Sequence, residues 1–240
     1  MPGELLQPVS LDGTYRAGPL IEIDQVHRLA LPHKGVWLHV LTQDFSLLLV
    51  TRALQMKTCP QRFSIIGEHH LGREADAVCA QRAAKEELPF FTSLPSHTWH
   101  LQQLRPRARW FLYNYEDRIR FDRVLISEWV LRLDLNRSAA NILLQKHRSD
   151  ADIYENEAAR IEFVTLHSFV RRLLHQPSDF CASPLFPRCL LDSIRDVCAL
   201  IVSVAGGQIK RGCNEIPPAA VPAMLEHFDD RQVVQRIADV

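Results

Sequence analysis

Apolar positions recur along the chain with two periods, every second residue in some runs and every third or fourth in others, and they divide it into strands and helices. Residues 1–30 carry little periodicity beyond Leu20-Ile21-Glu22-Ile23 and are expected to form an arm with one edge strand. Runs at 36–41 and 46–50, separated by Gln43-Asp44, predict a hairpin. A third short strand, 62–66, is expected to stop at Gly67. An Ala-rich helix follows from about Glu74 to Leu88, closed by Pro89. Three strands are then predicted at 99–104, 109–115 and 124–133, a short helix at 139–145, a last strand at 160–164 and a helix at 166–175. A second long helical pattern covers 185–204, with Leu190, Leu191, Ile194, Val197, Cys198 and Ile201 on one stripe and Gly206-Gly207 as its stop. A further helix is expected at 223–237.

Strands mixed with helices out of strict alternation predict the α+β class, with helices packed on a mixed sheet. The expected division is an arm at 1–30, a domain at 31–178 and a C-terminal helical extension at 179–240 packed on that domain. The long helix has two uses open to it, packing on its own domain or forming a homodimer face.

Composition narrows the function classes. Of 240 residues, 47% are hydrophobic, enough for a sizeable core, and the formal net charge is zero, which argues against binding a polyanion by bulk charge. The basic run Arg105-Pro106-Arg107-Ala108-Arg109 beside Trp110 is too thin to change that, so nucleic acid is not expected as a partner. No apolar run reaches the roughly 18 residues that span a bilayer, and Met1-Pro2-Gly3-Glu4 does not read as a signal peptide. The six cysteines (Cys59, Cys79, Cys181, Cys189, Cys198, Cys213) contain no C-x-x-C pair, as expected of reduced thiols in a cytoplasmic protein.

The chemistry concentrates between Gly67 and Leu88. At about 100° per residue, Ala77, Ala80, Ala84 and Leu88 share one helix face suited to a sheet, while Glu86 and Glu87 lie along its edge. Adjacent carboxylates repel, and a hard divalent cation with its preference for oxygen ligands relieves that repulsion. Arg52 and Lys57 follow the second hairpin strand and can clamp phosphate oxygens. Glu155 and Glu157 precede the last strand and offer a general base. His69 and His70 are loop histidines able to ligate a metal.

This segment resembles the Nudix box, a loop–helix that reads Gly-x5-Glu-x7-Arg-Glu-U-x-Glu-Glu-x-Gly-U, U being bulky and apolar. Registered on Glu86 and Glu87, Glu74 falls on the first glutamate and Arg82 on the arginine, while the opening glycine falls on Glu68, next to Gly67. Ala83 replaces the glutamate after the arginine, Ala84 is small for its apolar slot and Pro89 replaces the closing glycine. The runs His33 to Val40, Leu47 to Ala53 and Lys57-Thr58-Cys59-Pro60 look like the branch of that superfamily near isopentenyl-diphosphate isomerase. The isomerase chemistry itself asks for a cysteine that Ile65-Ile66-Gly67 does not carry.

The resemblance implies a Nudix-type α/β/α sandwich and a Mg2+ ion, or Mn2+, held by Glu86 and Glu87. Those two glutamates and Glu157 would be the catalytic carboxylates, and Gly67, Glu74 and Arg82 would shape the loop. Arg52, Lys57 and His69 would contact a small-molecule diphosphate. Two functions follow: a Mg-dependent hydrolase cleaving a diphosphate linked to a nucleoside or isoprenoid-type moiety, or a catalytically impaired protein of the same fold that binds a nucleotide or a protein partner.

Overall fold

A computed structural model describes residues 4–56, 58–114, 121–147, 157–181 and 185–206. Thirteen-residue β9 (Phe121–Leu133) and nine-residue β3 (His33–Leu41) pair in parallel at the centre, with His33 opposite Val124 and Leu41 opposite Arg132. Around them the sheet is antiparallel. β4 (Ser46–Arg52) follows β3 in the hairpin, and β10 (Ala158–Thr165) closes that edge along β4. β7 (Trp99–Gln103) and β8 (Arg109–Asn114) pair with successive halves of β9 on the other side. The mixed sheet with flanking helices is the α+β arrangement expected from the sequence.

One departure positions the site. β3 and β4 pair only at Leu41 and Leu47 and then diverge, and the chain from Phe63 to His69 fills the gap. Its first part, β5 (Phe63–Ser64), pairs with β4, and its second, β6 (Ile66–His69), pairs with β3. The strand therefore does not stop at Gly67. A glycine in a strand is tolerated here because Gly67 faces Trp37, where a Cβ would still have ordinary contact distances, and the ladder to β3 holds the backbone extended.

Period-two alternation sends Trp37, Leu47, Leu49, Val124, Ile126 and Val130 to one face and Val36, Leu38, Val40, Leu48, Val50 and Leu131 to the other. The second face is covered by α2 (Asp76–Glu87) and α3 (Arg137–Lys146). The first is covered by α4 (Leu166–His175) and by α5 (Leu185–Gly206), whose apolar stripe is the one read from the sequence. In α2 the buried residues are Cys79, Ala80, Ala83 and Ala84, with Leu88 behind them; Ala77 is exposed, so the buried face is rotated from the expected one. Small side chains let α2 approach the sheet closely.

The N-terminal arm is more structured than its weak periodicity predicts. β1 (Leu5–Leu6) pairs with β2 (Ile21–Glu22), α1 (Ile23–Arg28) follows, and Leu6 bridges to Gly72. Val9 and Val26 are fully buried, which is what holds the arm to the body. No described helix is long and apolar enough to cross a membrane. The helix expected at 223–237 and Cys213 lie outside the described residues.

Candidate metal and anion site

Arg82 organises the loop before α2. Its Nη2 donates to Glu74 Oε1 at 2.7 Å and to the His69 carbonyl, its Nη1 to Glu86 Oε2 at 3.0 Å, and the same Nη1 lies 3.4 Å from Glu68 Oε1. Glu74 in turn accepts from the Leu71 N–H at 2.8 Å. Burial works to raise the proton affinity of Glu74, but hydrogen bonds from Arg82 and Leu71 hold it below the usual carboxylate range. Glu74 precedes the helix, which starts at Asp76, and ties the loop to it.

The two box carboxylates sit differently. Glu86 is half exposed and pairs with Arg82 one turn back. Glu87 is partly buried beside Glu157, Glu68 and Arg52; burial, then repulsion by Glu157 and Glu68, pushes its proton affinity up to about 8. Glu68 is pushed up to about 7, chiefly by burial and then by Glu4. Ala83, at the position where the box carries a glutamate, is sealed in the core at 0% exposure, so helix packing occupies that position here.

A cleft of about 180 Å3 opens on the face of the sheet under α5, against β3, β6, β8 and β9. Trp37, Ile65, Phe111, Tyr113 and Phe186 form apolar and aromatic walls, and Arg52, Glu68, His69 and Asp122 are its charged groups. Arg52 is held there by Thr58, whose carbonyl accepts from Nε and whose Oγ1 accepts from Nη2, both at 2.9 Å. Lys57 lies outside the described residues. Glu157 is exposed, and its carbonyl accepts from the Ala53 N–H at 2.8 Å, which places it at the same end of β4 as Arg52.

The densest cluster was not anticipated. His27, His33, His69 and Asp122 each present a donor atom, all within 4.8 Å of one another. The three imidazole rings lie 5.1 to 5.5 Å apart. His33 Nε2 is 3.2 Å from Asp122 Oδ1, yet neither atom makes a well-formed hydrogen bond. His33 Nδ1 meets the Leu31 carbonyl at 3.0 Å, and a donor there leaves the Nε2 lone pair turned inward. Burial works to raise the proton affinity of Asp122, but the His33 contact and the charges of the three histidines keep it low.

His33 Nε2 and Asp122 Oδ1, buried and facing each other without a well-formed hydrogen bond, fit a cation, and three nitrogens with one carboxylate fit a borderline ion such as Mn2+ or Zn2+ better than Mg2+. His69, expected to contact substrate, belongs to this cluster. His70 does not: its Nδ1 meets the Tyr15 hydroxyl at 2.8 Å and its Nε2 lies 3.4 Å from Asp76, so it ties the arm to the start of α2.

Glu4, His27, His33 and Asp122 escaped sequence reasoning. His27 and His33, close together across Pro32, were a signal that could have been used. Asp122 offered none, since only the parallel pairing of β3 with β9 brings it beside His33.

No family model matches this sequence, and comparison with curated proteins finds no match. Among solved structures the chain is similar to DR0079 from Deinococcus radiodurans, at 14% identity over 77% of this chain and 98% of that one, with a TM-score of 0.49. It is also similar to an Ap4A hydrolase from C. elegans (11% identity, 71% and 98% of the two chains, TM-score 0.43). A NUDIX hydrolase from Nitrosomonas europaea stands at 11% identity, 70% and 89% coverage and a TM-score of 0.42.

Proposed function

We propose that this protein is a divalent-cation-dependent hydrolase of the Nudix type that cleaves a diphosphate joined to an organic moiety. The observation that carries this reading is the placement of the box. Arg82 gathers Glu68, Glu74 and Glu86, and β6 delivers Glu68 and His69 into a cleft that Arg52 and Asp122 also line, His69 and Asp122 belonging to the His/Asp cluster.

His27, His33, His69 and Asp122 would hold a cation, and Glu86 and Glu87 would hold a second. Bound cations supply charge neutralisation at the phosphates and polarise phosphorus. The chain's own groups do the rest. Arg52, pre-set by Thr58, faces phosphate oxygens with its planar fork. The aromatic walls hold the organic part away from water.

Glu87, whose proton affinity lies near neutrality, takes the proton of the attacking water; its burial, and after that the neighbouring Glu157 and Glu68, keep that affinity high. The water oxygen bonds to phosphorus, the bridging P–O bond breaks, and the leaving phosphate carries away the electron pair.

A second reading has its own support in Ala83 and Glu86, the first sealed in the core and the second held by Arg82: a protein of this fold that binds its ligand without turning it over. Purified protein incubated with Mg2+ or Mn2+ and a panel of nucleoside and other organic diphosphates separates the two. The hydrolase reading expects phosphate release that falls about 100-fold or more in Glu87→Gln, the usual size of a lost general base. Saturable ligand binding with no release from any of the panel overturns it in favour of the second.

A further inference from the structure

The arm supplies one residue to the cation cluster and another beside it. His27 comes from α1, and Glu4, next to β1, places Oε2 3.7 Å from His69 Nδ1. Glu4, Glu68 and His69 also have donor atoms within 4.8 Å of one another, so His69 is shared between the inner cluster and the arm's carboxylate. A histidine whose Nδ1–H is given to a carboxylate keeps its Nε2 lone pair for a metal, in a fixed ring orientation. For His33 the Leu31 carbonyl meets Nδ1 at hydrogen-bond distance, 3.0 Å, whereas Glu4 stands at ion-pair distance from His69.

The arm is attached elsewhere by short elements. Backbone contacts fasten Gly72 N–H to the Leu5 carbonyl at 3.4 Å and Val9 N–H to the Pro32 carbonyl at 2.7 Å, while Ile23 N–H to the Glu4 carbonyl at 2.9 Å joins the arm to itself. Of the four cluster residues, His33, His69 and Asp122 sit on the central sheet and His27 on the arm.

We propose that Glu4 is a positioning residue for the cation centre, acting through His69, and that the centre thereby clamps the N-terminal arm to the sheet. This rests on the cation reading given above. By linkage, an ion that binds only the docked arm favours docking by the factor 1 + [ion]/Kd, and an arm that docks badly weakens the ion by the same factor. The body keeps its own core without the arm's carboxylate, since Glu4 is exposed and is not part of the buried core.

The test uses the full chain, titrated calorimetrically with Mn2+ and with Zn2+, alongside Glu4→Ala and Glu4→Gln. Glu4→Ala is expected to weaken the ion about 10- to 100-fold, the range seen when a ligand histidine loses its outer carboxylate. Glu4→Gln keeps an acceptor for Nδ1–H and is expected to fall between it and the unaltered chain. Thermal midpoints of the three metal-free proteins are expected to coincide, which a merely structural role for Glu4 would not allow.

Amide exchange is the second readout. At 100 times Kd the ion is expected to slow exchange across residues 4–28 by up to about 100-fold, through opening events that break the centre. Failure of the unaltered chain to bind either ion overturns the cation reading and this inference together. Binding by Glu4→Ala as tight as that of the unaltered chain, or arm exchange indifferent to the ion, overturns this inference alone.

Discussion

Arg82 shows how much a single side chain decides. Its guanidinium reaches Glu74 and Glu68, both well buried, and the half-exposed Glu86. The exposed contact is an i,i+4 pair worth a few tenths of a kcal/mol. The buried ones matter more, because removing one partner of such a pair costs about 3 to 5 kcal/mol by stranding a charge. Glu87 is held differently: burial and the neighbouring Glu157 and Glu68 outweigh the nearby Arg52 cation. Its folded proton affinity, about 8, lies above the ordinary carboxylate value of 4.5, so the native state holds that proton more tightly than the unfolded chain does. The stability it contributes is complete below pH 4.5 and is lost as pH rises towards 8. Thermal midpoints recorded between pH 5 and 9 are therefore expected to decline in the metal-free protein. Glu87→Gln is expected to flatten that decline, and an unchanged profile would show that Glu87 is not the group responsible.

At the scale of elements, the site exists because β3 and β4 part company and the chain from Phe63 to His69 enters between them. Gly35 makes the close approach of β6 to β3 compatible with β9 on the other side. A Cβ there would lie 2.9 Å from the Glu68 carbonyl oxygen and 3.0 Å from Val124 Cγ2, the first of which is backbone and cannot swing away. Gly35→Ala is expected to cost about 2 kcal/mol in urea unfolding, the usual scale of overpacking a core. It should also weaken cation binding, because it pushes Glu68 and His69 outward together. Unchanged stability and affinity would mean that the strands relax without disturbing the cluster.

The sequence pattern located these strands well, since a pleated ribbon with alternating faces announces itself by its period. β6 was the exception: it runs through Gly67-Glu68-His69, where there is no apolar alternation, and it is held by main-chain pairing to β3 instead. The arm was missed for a similar reason. Its two-residue strands and six-residue helix are too short to show a period, and tertiary contacts of Val9 and Val26 hold them.

Across the whole molecule, α5 is joined to the sheet by charge as well as by its apolar stripe. Glu128, buried in β9, receives Arg109 Nε at 2.6 Å and lies 3.6 Å from His39 Nε2. Arg109 also donates to the Ser193 hydroxyl at 2.7 Å and the Cys189 carbonyl at 2.8 Å, and Arg105 reaches Asp196. The basic run 105–109, which as a string of letters invited a nucleic-acid reading, thus turns two of its arginines onto acids of its own fold. Arg109→Ala is expected to cost about 3 kcal/mol, because Glu128 keeps only longer contacts. It should also speed amide exchange along 185–201. Loss of stability without faster exchange in that helix would place the role of Arg109 in the sheet alone.

What the chain determined by itself was local: the strand and helix periods, the apolar stripe of α5, the small face of α2, and the spacing that puts Glu74, Arg82, Glu86 and Glu87 on one loop–helix. Each depends on neighbours within a few residues. Tertiary structure alone decided which carboxylates are neutralised and which are crowded together, and it assembled the cluster of His27, His33, His69 and Asp122. Those four come from the arm, two strands that flank β3's start and β3 itself, and they meet because parallel pairing of β3 with β9 and the insertion of β6 bring distant positions to one face of the sheet. Side-chain chemistry is written residue by residue, whereas convergence on a point is a property of strand order, and no local pattern encodes it.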